Sequence, residues 1–177
     1  MTPKILAAIK TRNVDTVIIR EKDLSPERLI KLASSINTAV KHENPDVKVI
    51  LNSDFKAALE LKLDGVHFPE IFLNTDTFNQ VLYELHGNGM MVGVSTHSLE
   101  SAKVAMYLQA DYITFSPIFH TKSKEHYGDP QGIEKLLECA QSINIPVYAL
   151  GGIDETNEKE VMEAGAKGVA AIKYFLK

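Results

Sequence analysis

The feature that most constrains this chain is a recurrence: short runs rich in β-branched residues, each closed by polar or glycine residues and followed by a helical pattern. The runs are TVIIR (16–20), KVILN (48–52), GVHFP (65–69), MVGVS (91–95), YITFSPI (112–118), PVYAL (146–150) and GVAAIK (168–173). They are nearly continuous in apolar residues, as strands buried on both faces are. Between them lie helical stretches. SPERLIKLASSINTAVKHE opens with Ser25 and Pro26, DFKAALELKL is brief, and SLESAKVAMYLQA begins with a capping box at Ser98. Strand and helix in alternation specify a parallel sheet covered by helices, either a closed barrel or an open doubly wound sheet.

Two observations favour a TIM-type (β/α) barrel. No G-x-G-x-x-G follows the first strand, and polar or glycine residues stand after most strands rather than at one switch point. Such barrels usually have about 250 residues and eight strands, whereas this chain has 177 residues. Residues 2–12 read as a helix with no strand before them, and little chain follows the last strand. The expectation is therefore a short barrel lacking the first strand and the last helix. Its edge strands, beginning at Thr16 and Gly168, predict either a distorted seven-strand closure or a homodimer that covers them.

An apolar content of 45% over 177 residues supports one core, and residues 1–177 read as a single domain. The net charge of −4, with scattered Lys and Arg, provides no basic surface for nucleic acid. No run approaches the ~20 apolar residues of a membrane span, and MTPKILAAIKTR is too short in its apolar run for a signal peptide. The lone Cys139 excludes an internal disulfide and fits the cytoplasm. In an amphipathic helix it reads as a packing residue rather than a nucleophile.

Chemistry concentrates at the strand ends. Gly151 and Gly152, ahead of a helix expected near Glu155, suit a phosphate because glycine lets backbone amides approach an anion; a simple tight turn is the alternative. Amides near Ile172 and Lys173 would complete the cup. Arg20 and Lys22 could clamp a second anionic group or form a solvated charged turn. Thr121, Ser123 and Lys124 lie on a long irregular stretch, 119–131, placed to act as a lid. Asn52 and Ser95 end two further strands. His67, His97 and His120 also stand at strand ends, as candidates for a general base, an orienting group or a hydrogen-bonded rim residue. No HxxxH set and no pair of strand-end aspartates points to a metal.

VDTVIIREKDLS (14–25), ILNSDFKAALELKLDGVHF (50–68), VGVSTHSLESAKVA (92–105), ADYITFSPIFHTKSK (110–124), IPVYALGGI (145–153) and EAGAKGVAAI (163–172), in this order, resemble the thiamine-phosphate synthase and thiazole tautomerase family along almost the whole chain. The resemblance implies a small phosphorylated substrate: a thiazole phosphate, with hydroxymethylpyrimidine diphosphate as its partner in the synthases. Carried over by position, Arg20, Lys22, Ser95 and Lys124 would contact pyrophosphate. Thr121 and Ser123 would lie near the reacting centre, and the Gly151 and Gly152 amides would hold the thiazole phosphate. Departures accompany the match. The family's Gln falls on Ile18, its two metal-binding aspartates on Ser53 and Phe72, and a serine of the last phosphate site on Lys173. Asp54 and Asp76 are the nearest carboxylates that could stand in. No resident cofactor is therefore expected, with magnesium left open. The tautomerase histidine falls on Pro117, which leaves His97 or His120 as the catalytic base. The expected function is a divergent, tautomerase-like enzyme that binds a thiazole phosphate. The alternatives are the synthase itself and a non-catalytic binder of phosphorylated ligands.

Overall fold

The structure, a computed structural model, describes residues 2–121 and 129–176. All seven expected strands form: β1 (Thr16–Ile19), β2 (Lys48–Asn52), β3 (Gly65–Phe68), β4 (Met91–Thr96), β5 (Tyr112–Phe115), β6 (Val147–Leu150) and β7 (Gly168–Ala170). They pair in parallel in the order β1-β2-β3-β4-β5-β6-β7. The helices are α1 (Thr2–Arg12), α2 (Pro26–Glu43), α3 (Phe55–Glu60), α4 (Phe78–Gly87), α5 (Leu99–Tyr107), α6 (Gly132–Ser142) and α7 (Glu158–Glu163), with a 3₁₀ turn over Glu70–Asn74. This is the α/β architecture of a TIM-type barrel. Strands β5 and β7 stop short of the expected 118 and 173. Beyond Phe115, Pro117 has no N–H for the ladder, and the chain rejoins β6 only through Ile118 N to Leu150 O (3.0 Å) and Phe119 N to Gly151 O (2.9 Å).

In-register residues of a parallel sheet share a face, so each strand divides into two sets. One set includes Val49, Leu51, Val66, Phe68, Val92 and Val94, and it joins the helices' buried side chains in one apolar cluster. The other set faces the lumen: Ile50, Asn52, His67, Gly93, Ser95, Tyr112, Thr114 and Tyr148. Ile50 and Tyr112 are buried yet stand outside that cluster, as lumen residues should. The helices fold where their ends are supplied. Ser98 accepts from Ser101 N at 3.1 Å while Ser101 Oγ accepts from Ser98 N at 3.2 Å, which is the expected capping box at the start of α5.

The strand starts are clamped by carboxylates. Asp64 accepts from Val49 N (2.7 Å) and from Lys41 Nζ (3.0 Å), and Asp111 accepts from Val92 N (2.6 Å) and pairs with His86 Nε2 (3.0 Å). In each pair the aspartate's own N–H donates back to the same neighbour, at 3.0 Å to Val49 O and 2.8 Å to Val92 O. Among the described residues β1 and β7 do not pair, so the arc stays open. The chain's two ends meet across that seam: Arg12 donates to Tyr174 O (2.6 Å), its guanidinium lies 5.3 Å from the Tyr174 ring centroid, and the Tyr174 hydroxyl donates to Glu158 (2.6 Å).

Candidate active site

The C-terminal strand ends collect most of the residues singled out from the sequence. Arg20 and Lys22 follow β1, and both are exposed. Asn52 ends β2 half-buried, with its Nδ2 donating to Ser53 Oγ at 2.7 Å. Ser95 stands half-buried near the end of β4, and Lys173 is exposed beyond β7. Gly151 and Gly152 follow β6 with φ of 106° and 70°, a region that favours glycine. A Cβ at Gly151 would lie 2.9 Å from Pro117, and one at Gly152 would lie 2.7 Å from the Phe119 side chain and 2.9 Å from His120 O. The pair therefore makes a tight turn packed beneath the segment leaving β5. The helix expected near Glu155 starts at Glu158, because Asp154 first closes a local turn by accepting from Thr156 N (2.9 Å) and Thr156 Oγ1 (2.6 Å). Thr121 is half-buried, whereas Ser123 and Lys124 lie outside the described residues.

The three strand-end histidines have different environments. His97 Nδ1 donates to the Ser116 carbonyl at 2.7 Å, and its Nε2 lies 3.9 Å from Glu70, so the ring is fixed on the rim between β4 and the 3₁₀ turn. His120 is exposed beside the glycine turn. His67 is buried in the lumen, with Nε2 2.9 Å from Ser95 Oγ and Nδ1 3.1 Å from the Tyr112 hydroxyl. Tyr112 was missed in the sequence, as were its neighbours Tyr148, whose ring meets it edge-on at 5.6 Å, and Thr114, whose buried Oγ1 has no hydrogen-bond partner among the described residues. The signal, a small residue opposite each tyrosine, shows only once the strand register is known. Gly93 is in register with Tyr112 and Gly168 with Tyr148, and a Cβ at Gly93 would overlap the Tyr112 ring. Burial, followed by the nearby Tyr148 and Asp111, raises the Tyr112 phenol far above its ordinary value, so it stays a hydrogen-bond donor.

A separate groove of about 250 Å³ lies between the starts of α5 and α6, lined by Leu99, Phe115, Gln131 and Lys135 among others. It shares none of these lining residues with the lumen set.

The family described as "Thiamine monophosphate synthase" matches residues 2–175. The chain belongs to that family. Among its synthase relatives, "Putative thiamine-phosphate synthase 2" of Aquifex aeolicus is 40% identical over 171 residues, which is 97% of this chain and 88% of that protein. The "Thiamine-phosphate synthase" of Halalkalibacterium halodurans is 32% identical over 163 residues, 92% of this chain and 74% of its own. The solved thiamine phosphate pyrophosphorylase from Pyrococcus furiosus superposes with a TM-score of 0.82 at 25% identity, covering 97% of this chain and 79% of that one. A 3-hexulose-6-phosphate synthase, with a TM-score of 0.68 at 19% identity over 96% of this chain and 84% of that one, shares the fold.

The positions where the family resemblance sets metal-binding aspartates do not fit a metal here. Ser53 Oγ is engaged by Asn52, and the Phe72 ring packs 5.0 Å from Phe68 and 6.5 Å from Phe78. Asp54 caps α3 by accepting from Ala57 N at 3.0 Å, and Asp76 is exposed. Among the described residues, no group of three or more His, Cys, Asp or Glu side chains could hold a metal ion. No helix among them is long and apolar enough to cross a membrane.

Proposed function

We propose that this barrel joins hydroxymethylpyrimidine diphosphate to a thiazole phosphate. The pyrimidine-bearing carbon loses pyrophosphate by C–O cleavage, and the thiazole nitrogen's lone pair forms the new C–N bond. One observation carries this reading: Arg20, Lys22, Ser95 and the Gly151–Gly152 turn stand at the same end of a barrel whose relatives bear synthase names. Arg20 and Lys22 supply fixed positive charge for the leaving pyrophosphate, Ser95 a hydroxyl, and Lys124 a third cation from outside the described residues. The glycine turn and Lys173 would take the thiazole phosphate.

Coupling is favoured over the tautomerase reaction because a base for the latter is hard to find. Pro117 occupies the position of the tautomerase histidine, the His97 ring is held by the Ser116 carbonyl, and His120 is exposed at the rim. Coupling needs no base, because its steps transfer no proton. It does need the departing pyrophosphate stabilised, and a site without the two carboxylates lacks one preorganised electrostatic contact, worth about 10²-fold or more in rate. The proposed enzyme is therefore slow and independent of magnesium. Its compartment is the cytoplasm, where Cys139 would stay reduced.

The test is thiamine phosphate formation from both substrates across a magnesium titration. Slow turnover indifferent to magnesium is expected. Magnesium-saturable, rapid turnover would mean that Asp54 or Asp76 rearranges to hold the ion. Conversion of a thiazole carboxylate phosphate alone, with no coupling, would restore the tautomerase reading.

A further inference from the structure

The lumen contains a buried polar chain whose direction can be worked out from its partners. Tyr112 is 4% exposed, and among the described residues its hydroxyl has one hydrogen-bond partner, His67 Nδ1 at 3.1 Å. The neighbouring Thr114 Oγ1 is buried but takes no bond from it. A buried phenol proton with nowhere else to go must be donated to Nδ1, which places the imidazole proton on Nε2. The opposite tautomer would leave that proton unsatisfied, a cost that weights the two forms by about tenfold or more. The Nε2–H then donates to Ser95 Oγ, 2.9 Å away. Ser95 thereby accepts inward with one lone pair, which leaves its own O–H to donate elsewhere, and the residue stands half-buried near the mouth of the barrel.

We infer that Tyr112 and His67 are positioning residues: the relay Tyr112 to His67 to Ser95 fixes the Ser95 hydroxyl as a donor aimed at a phosphate or diphosphate oxygen at the mouth. This rests on the proposed function only for the anion; the direction of the relay follows from the lumen alone. The arrangement is built rather than incidental, because a Cβ at Gly93 would overlap the Tyr112 ring, so the glycine makes room for it. The burial-raised phenol is a donor throughout the working pH range.

Two measurements on the whole chain separate the relay from the anion site. Nitrogen-15 NMR of the unaltered protein should show His67 as the Nε2–H tautomer, and Tyr112→Phe should release it to a mixture. Calorimetry with inorganic pyrophosphate should show about tenfold weaker binding for Ser95→Ala. Tyr112→Phe should weaken it by about threefold, with almost no further loss when Tyr112→Phe is added to Ser95→Ala, since both act through one hydroxyl. Full additivity of the two losses, or an Nδ1–H His67 in the unaltered protein, overturns the relay while leaving the synthase reading intact. An Nε2–H His67 in a protein that binds no pyrophosphate overturns the anion site and the recognition role with it.

Discussion

At the N-terminal ends of the strands, Asp64 and Asp111 each accept from a neighbouring strand's backbone and pair with a basic side chain. At the C-terminal ends, Arg20, Lys22 and Lys173 are exposed and form no ion pair among the described residues. The first arrangement satisfies each polar group internally and so contributes to stability. The second keeps cations available for an anion, at no gain to the fold. A (β/α) barrel divides its labour in this way, with stability at the bottom and chemistry at the top. Substitutions at the two ends should therefore separate stability from binding.

The largest effect is expected at the bottom. Asp64→Ala would leave Val49 N without its acceptor and the Lys41 ammonium without its counter-ion, with only the Pro45 and Val47 carbonyls to donate to; the Asp64 side chain is only 19% exposed in the intact protein. A loss of about 3 kcal/mol is expected, read as a lower urea midpoint with the same slope, and pyrophosphate affinity should be unchanged in the folded fraction. Weakened binding by the folded protein would mean that the two ends are coupled. Next comes the lumen wall. Gly93→Ala must push the Tyr112 ring aside, which should cost about 1–3 kcal/mol and, unlike Asp64→Ala, also disturb the His67 tautomer. An unchanged histidine spectrum would show that the wall has room to give.

The helix-side layer offers a pH test. Cys139 is buried among apolar side chains, and burial, with Glu138 nearby, pushes its thiol from 9.0 up to about 11. The folded state thus favours the neutral thiol. Its contribution is complete below the unfolded pKa and is lost as pH rises through the folded one. Between those values the unaltered protein should lose on the order of 1 kcal/mol more than Cys139→Ala, seen by comparing their urea midpoints as pH is raised. Parallel curves would mean that water already reaches the thiol.

The fold was more legible than the site, for a physical reason. Strands buried on both faces announce themselves as apolar runs, so all seven were readable, though β5 and β7 were expected too long, and Ser98 marked the start of α5 through its own hydrogen bonds. The register was not readable. Nothing local says that Gly93 lies beside Tyr112, and hence that the glycine is there to admit a ring. Tyr112 passed for an ordinary strand residue, and His67 was one of three equivalent strand-end histidines until its partners were seen. His97 looked equally suited to chemistry, yet its ring is fixed by the Ser116 carbonyl just past the end of β5, a contact across 19 residues of sequence. Gly151 and Gly152 were recognised as special, but a phosphate cup and a packed turn require the same residue.

The smallest expected effect tests how far the mouth's cations act as a field. Lys173 stands exposed after β7, where the family resemblance has a serine. An ammonium on an exposed stem is well hydrated and pays side-chain entropy to hold one position, so its attraction for a bound phosphate is on the scale of a surface ion pair, about 0.5 kcal/mol. Lys173→Ala should therefore weaken inorganic phosphate binding by only about twofold. That loss should fade as salt shortens the screening length from about 10 Å at 0.1 M toward 3 Å at 1 M. Ser95→Ala should keep most of its larger effect over the same range, because a half-buried hydroxyl acts by direct contact. A Lys173 effect that exceeds that of Ser95 and survives high salt would mean that the lysine touches the anion, and that the phosphate sits nearer β7 than the glycine turn alone implies.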